Sequence, residues 1–269
     1  TPWETGKVEL PAFDDDAWEL YDTNTDWTQA RDVAKKHPDK LAELQRLWLI
    51  EAAKYNVLPI DDRMAERADP DAAGRPKLVL GNRQLLFGGM GRLTENSIVN
   101  YKNRSYSVTA EIVVPDSGPA EGVIVAVGGG IGGWSLFARE GRPKYCYNFY
   151  GLEQYYVEAS ELLSPGTHQV RFEFGYDGGG VGKGGDVTLY VDGKAAGAGR
   201  VEQTEPLIFS ADETLDIGTD SGSPVTTDYA TRTFNGEVRW VEIDVDAAAE
   251  DLDHFIKPDE RLAVHMALQ

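Results

Sequence analysis

Two glycine runs have the spacing of a dinucleotide-binding turn: Gly128-Gly129-Gly130-Ile131-Gly132-Gly133 and Gly180-Val181-Gly182-Lys183-Gly184-Gly185. Such a turn holds a pyrophosphate only where a strand enters a helix whose free N-terminal amides face the anion. Both runs lead into more strand-like sequence, so they are read as β connections. Lys183 does not make a phosphate loop either, because Asp177 stands at the first glycine position and Gly184 at the Ser/Thr position that would hold Mg²⁺. Asp22-Thr23-Asn24-Thr25-Asp26 opens like a calcium loop. Its sixth position is Trp27 and its twelfth Val33, where that loop needs Gly and a bidentate Glu. A turn with capping carboxylates accounts for the same residues.

Asp14-Asp15-Asp16 and Asp61-Asp62 are adjacent acids with no histidine nearby in sequence, which fits solvated segments. Asp216, Asp220 and Asp228 flank a Gly/Ser-rich loop and form the better calcium candidate, although spacing alone does not assign them. His37, His168, His254 and His265 are scattered, without the paired spacing that seeds a zinc site. Cys146 is the single cysteine, which excludes an intrachain disulfide and a thiolate metal centre. No Ser or Cys sits in a nucleophile elbow, and Asn103-Arg104-Ser105 is a glycosylation pattern of a kind frequent by chance. Trp134, Tyr145, Tyr147, Phe149, Tyr155 and Tyr156 make an aromatic-rich middle. A strand over 143–150 puts Tyr145, Tyr147 and Phe149 on one face and Cys146, Asn148 and Tyr150 on the other. Cross-strand core packing is the first reading of these rings, and stacking on sugar rings beside Asn the second. No catalytic, cofactor-binding or metal-binding residue is assigned.

The elements that carry these residues follow from periodicity. Trp18-Glu19-Leu20-Tyr21 alternates like a short strand. Asp26 and Gln29 have capping-box spacing before a short helix with Ala30, Val33 and Ala34 inside. Pro38 suits a first helical position and Asp39 the positive end of the dipole. Leu41, Leu44, Trp48, Ala52 and Tyr55 then recur at three and four, until Asn56 and Pro59 end the helix. Residues 60–76 are charged and aperiodic, a surface connector. From residue 77 the period is two. Strands are expected near 108–114, 122–127, 134–139, 143–150, 153–159, 170–174, 187–191, 214–218 and 236–245, with Asp192-Gly193 as a hairpin turn. About ten strands without crossover helices predict an antiparallel sandwich. Pro258, Asp259 and Glu260 open a possible tail helix with Leu262, His265 and Met266 on one side. The expected division is 1–64 helical with one short strand, 65–76 linker, 77–245 sandwich and 246–269 acidic tail.

The balance of 26 basic and 45 acidic residues, −19, repels nucleic acid and anionic membranes. No apolar run approaches the roughly 20 residues of a membrane span, and the opening residues do not read as a signal-peptide pattern. A soluble protein of bacterial cytoplasm or periplasm fits, with the compartment open. The start at Thr1 is read as a piece of something longer.

Residues 17–63 carry a specific resemblance. Ala17 to Asp22, Asp26, Arg31 to Ala34 and His37 to Leu44, followed by Trp48, Glu51, Ala52, Tyr55 to Pro59 and Asp61 to Arg63, resemble the closing segment of bacterial type I arylsulfatases. Gly74 to Pro76, Tyr101 to Arg104, Gly132 to Leu136 and Tyr147 to Phe149 are similar to the same subgroup. The second half, through Val187 to Gly193 and Phe234 to Val238, resembles concanavalin A-like and laminin-G-like jelly rolls. The resemblance implies a parent that hydrolyses sulfate esters with formylglycine and calcium in a catalytic domain absent here. Cys146 is followed by Tyr147, Asn148, Phe149 and Tyr150, so the C-x-P-x-R motif is missing and no catalytic residue carries over. The expectation is a non-catalytic C-terminal portion that stabilises the sulfatase domain, shapes its active-site rim or mediates self-association. The alternative is a carbohydrate-binding module directed to a sulfated glycan. A stand-alone glucanase-like enzyme ranks last, for want of an E-x-D-x-x-E string.

Overall fold

The computed structural model describes residues 15–57, 79–249 and 253–257. The chain divides into two units, residues 1–63 and 64–269. The connector at 60–76, Asp14, Asp61, Asp62, His265 and the tail helix from Pro258 lie outside the described residues.

In the first unit, helix α1 (Pro38–Lys54) starts with Pro38 at its N-terminal turn. Asp39 and Lys54 sit at the ends where their charges oppose the dipole. Ala52 is its buried residue, while Leu44, Leu47, Leu49 and Ile50 are exposed. Two expectations fail here. Residues 18–21 form no strand: the Leu20 amide donates to Asp32 Oδ1 (2.9 Å), and the Leu20 carbonyl accepts from Val33 (2.8 Å). No ladder is left to build. Trp18 instead meets Trp48 edge-on at 5.8 Å. The helix after Asp26 is also absent, because Gln29 takes a left-handed φ of 56° that breaks a right-handed turn. Asp26 caps the resulting turns, accepting from Thr28 Oγ1 and from the Ala30 and Arg31 amides.

The second unit is an antiparallel jelly-roll β-sandwich, as the alternation predicts. Its strands are β1 (Arg83–Phe87), β2 (Tyr106–Val114), β3 (Gly122–Gly129), β4 (Gly132–Arg139), β5 (Arg142–Phe149), β6 (Glu153–Glu158), β7 (Gly166–Tyr176), β8 (Lys183–Val191), β9 (Lys194–Gln203), β10 (Leu215–Ile217) and β11 (Glu237–Val245). A six-stranded sheet has the order β1-β11-β2-β7-β8-β9 and a five-stranded sheet β10-β3-β4-β5-β6. The inner faces bury Val108, Ala110, Ile112, Val170, Leu189 and Ile243 from one sheet, and Val125, Val127 and Leu136 from the other. Trp134 and Tyr145 reach across to Phe172 at 5.1 and 4.6 Å between ring centroids. The aromatic middle is thus largely core, by the first of its two readings.

One edge closes where β6 meets β9. The run Ala195-Ala196-Gly197-Ala198-Gly199 carries almost no side-chain volume, and a Cβ at Gly197 would stand 2.4 Å from the Glu158 carbonyl oxygen. The Ser160 amide donates to Ala196 O at 2.8 Å across the same seam. On the outer face of the six-stranded sheet, Arg171 is buried, donating to Thr109 Oγ1 and to the Ala249 carbonyl. Gln169 and Ile256 exchange two bonds of 2.9 Å, and the His254 ring stacks on Tyr190 at 4.0 Å. Residues 253–257 therefore lie along this face. Among the described residues no helix is long and apolar enough to cross a membrane.

Candidate functional site

Register sets which side chains share the outer face of the five-stranded sheet. Asp216, Ala126, Ser135, Cys146 and Tyr156 stand opposite one another across its five strands. The neighbouring rows hold Gly133, Asn148 and Gln154 on one side, and Phe137, Lys144 and Glu158 on the other. A long loop between β10 and β11 lies over part of this face. Its Val225 packs with Val123, Ala126, Phe137 and Cys146, and its Tyr229 meets Phe137 at 5.0 Å. Asn148, buried, spends its amide on the carbonyls of Gly129, Gly130 and Val225, which pins that loop to the β3–β4 hairpin.

At the β6 edge the face is partly open beside Thr226 and Asp228 of that loop. Tyr156 is 42% exposed, and its hydroxyl lies 2.6 Å from Thr226 Oγ1 and within bonding distance of Gln154 Oε1. Lys144 Nζ sits 5.4 Å from the centre of the Tyr156 ring and bonds Asp228 (2.6 Å) and Glu158 (3.3 Å). Arg139 pairs with Asp228, and Arg142 reaches Glu158 at 3.9 Å. The result is a fixed tyrosine ring amid donors and acceptors of both signs. Of the aromatic-rich middle, Tyr156 is the exposed member; Tyr150, just after β5, is exposed as well. Strand pairing decides that outcome: Tyr155 and Tyr156 are neighbours, and a one-residue shift would exchange them.

The acids suggested for calcium do not converge. Asp216 accepts from the Arg92 amide and from the Ser221 amide and hydroxyl. Asp220 accepts from the Val225 amide, burial raising its carboxyl above the usual range, and Asp228 is held by Arg139 and Lys144. Among the described residues no three His, Cys, Asp or Glu side chains are grouped to hold a metal ion. Asp22 and Asp26 each cap turns, Asp22 accepting the Asn24 amide and the Thr25 hydroxyl, and Asp15 and Asp16 are exposed. The Cys146 thiol is buried and pushed up to about 12, so it stays protonated and unreactive. Asn103 uses its side chain structurally, donating to Pro206 O and accepting from the Gly182 amide. The glycine runs form the β3–β4 hairpin and the approach to β8, with no helix after either. His37 is the N-cap residue of α1 and makes no side-chain cap.

Sequence reasoning missed a buried ionic group at one end of the sandwich. Glu205 is 1% exposed, accepts the Tyr150 amide at 2.8 Å, and is pushed up to about 7, chiefly by burial. Its own amide donates to the Tyr147 hydroxyl at 2.7 Å. Lys102 Nζ lies 3.4 Å from Glu95 and 2.8 Å from the Phe209 ring centre, and burial lowers it to about 8. Nothing in the local sequence marks Glu205, since its partners Tyr147, Tyr150 and Lys102 come from distant parts of the chain.

No family model matches the chain, and no curated protein matches it, so the arylsulfatase resemblance rests on its own residues. Among solved structures the chain is similar to the CBM40 module of the IT-sialidase of Ruminococcus gnavus bound to α2,3 sialyllactose. That match has 12% identity and a TM-score of 0.41, over 70% of this chain and 98% of that one. It is also similar to domain 4 of an extracellular arabinanase from Geobacillus stearothermophilus in complex with arabinotriose, at 14% identity and a TM-score of 0.38, covering 60% and 66%. Domains LG4-5 of the mouse laminin α1 chain match at 17% identity with a TM-score of 0.39, covering 65% and 42%.

Proposed function

We propose that the sandwich is a carbohydrate-binding module and that the face around Tyr156 receives the sugar. The observation that carries this reading is the Tyr156 ring itself, exposed and held at its hydroxyl by Thr226 and Gln154. A pyranose offers an apolar C–H face and a rim of hydroxyls that both donate and accept. A pre-fixed ring loses little freedom on binding, and a few placed polar groups set orientation. Gln154, Lys144 and Glu158 border the ring on β5 and β6. A glycan array followed by calorimetry on the best hit tests this. Tyr156→Ala is expected to weaken binding at least tenfold, Tyr156→Phe to keep the stacking and most of the affinity, and Tyr150→Ala to change little. An array without hits, or unchanged affinity in Tyr156→Ala, would sink the reading.

A second reading, the accessory C-terminal portion of an arylsulfatase, draws on the strings at 17–63 and on the exposed Leu44, Leu47, Leu49 and Ile50 of α1. Four large apolar residues along 17 helical positions suit a segment completed by another surface. Turnover of 4-nitrophenyl sulfate by the pure chain would refute an assisting role.

A further inference from the structure

Where β7 begins, Ser164 and His168, four residues apart, meet Asp192 from the turn after β8. After β8 the chain turns through Asp192 and Gly193, at φ 50° and 77°. The Asp192 amide donates to the Gln169 carbonyl, and Asp192 Oδ1 accepts the Gln169 amide, both at 2.9 Å. These two bonds fix the carboxylate and leave Oδ2 2.7 Å from His168 Nδ1. The other ring nitrogen, Nε2, lies 3.1 Å from Ser164 Oγ, in the segment between β6 and β7. The imidazole is largely buried, at 13% side-chain exposure, while Ser164 faces solvent. An acid anchored by backbone, an imidazole oriented by that acid and a hydroxyl on the far nitrogen take the roles of a Ser–His–Asp relay.

We propose that Ser164, His168 and Asp192 form a nucleophilic relay that accepts the acyl group of short-chain carboxylic esters. This stands independently of the glycan reading. The base form has Nδ1–H given to Asp192 and Nε2 freed of the proton that the Ser164 carbonyl accepts at 2.9 Å; the Nε2 lone pair then takes the Ser164 proton as Oγ bonds to the ester carbonyl carbon. The carbon–oxygen bond to the alcohol then breaks, and that oxygen leaves with the proton from Nε2. Water attacks the acyl-Ser164 by the same route, giving the carboxylic acid and restoring the hydroxyl. Two features make the relay slow. The Ser164 carbonyl lies 2.9 Å from Nε2 and competes with Oγ whenever that nitrogen is protonated. Pro165 follows Ser164, so the next residue has no N–H to offer a developing oxyanion. A short acyl chain is the class expected, because Ser164 stands at the surface with the exposed Leu162 as the large apolar group of its own segment.

Covalent capture reads a slow nucleophile better than turnover does. The full chain treated with a fluorophosphonate probe, which phosphonylates serine with loss of fluoride, is digested and mapped by mass spectrometry. The expected result is one adduct, on Ser164, absent in Ser164→Ala and formed at least 100-fold more slowly in His168→Ala. Asp192→Asn keeps a residue suited to positive φ and able to accept the Gln169 amide, so it is expected to stay folded and to label at least tenfold more slowly. No adduct, an adduct elsewhere, a rate equal to that of the urea-denatured chain, or a rate unchanged in Asp192→Asn would each overturn the proposal. Circular dichroism of each variant separates lost reactivity from lost fold.

Discussion

Glu205 shows what one residue contributes when its carboxyl is buried. Its carboxyl is raised from 4.5 to about 7 because burial penalises the charged form more than the Tyr150 amide and Lys102 favour it. Below about pH 4.5 it is protonated in folded and unfolded chains alike. As pH rises toward 7 the unfolded chain releases a proton that the folded chain still holds, so stability falls through this window. The loss is about 3 kcal/mol and is complete above pH 7. Glu205→Gln keeps an acceptor for Tyr150 and cannot ionise. Its stability relative to the parent is therefore expected to rise by that amount between pH 4 and pH 8, measured by urea titration at each pH. A constant difference across the range would mean the carboxyl does not titrate in it. Neither Glu205 nor the Ser164–His168–Asp192 contact could be read from spacing. His168 sits four residues after Ser164, but Asp192 is 24 further on, and the β7–β8 pairing is what brings that acid to the ring. Asp192-Gly193 was legible as a turn, but not what the turn carries.

Elements were more legible than residues where one face is buried. Val170, Phe172 and Phe174 alternate because β7 lies in the middle of its sheet with one face in the core. β1 went unread because Arg83-Gln84-Leu85-Leu86-Phe87 is an edge strand with Leu86 as its single buried residue. β9 went unread because it lacks the side chains on which a strand signal depends. Its glycines matter for space. With the Glu158 carbonyl 2.4 Å from a Cβ at position 197, Gly197→Val must push β9 off β6 and open the seam. A cost of about 3 kcal/mol is expected from such overpacking, seen as a lower urea midpoint. Gly118→Ala, where an added Cβ meets nothing within 4 Å and φ is not left-handed, should cost less. Equal effects would show that the seam tolerates side chains. At the first unit the pattern misled, since capping-box spacing at Asp26 predicts a helix that the left-handed Gln29 does not allow.

At the scale of the molecule, charge decides which glycan the Tyr156 face can accept. Arg139, Arg142 and Lys144 are each paired with Asp228 or Glu158, so breaking a pair to bind an anion exposes an acid in exchange. The whole chain carries −19, and its field repels a sulfated or carboxylated sugar on approach. Salt separates this long-range repulsion from local attraction, because the screening length falls from about 10 Å at 0.1 M to about 3 Å at 1 M. If the face has no spare cation, a neutral oligosaccharide should bind with less than twofold change in Kd across that range. A sulfated analogue of the same sugar should bind more weakly at 0.1 M and gain severalfold at 1 M. Calorimetry at the two salt concentrations decides it. A sulfated ligand whose affinity falls as salt rises would mean that one of the three cations leaves its acid to hold the sulfate, and that the face prefers anionic glycans against the field of the rest of the chain.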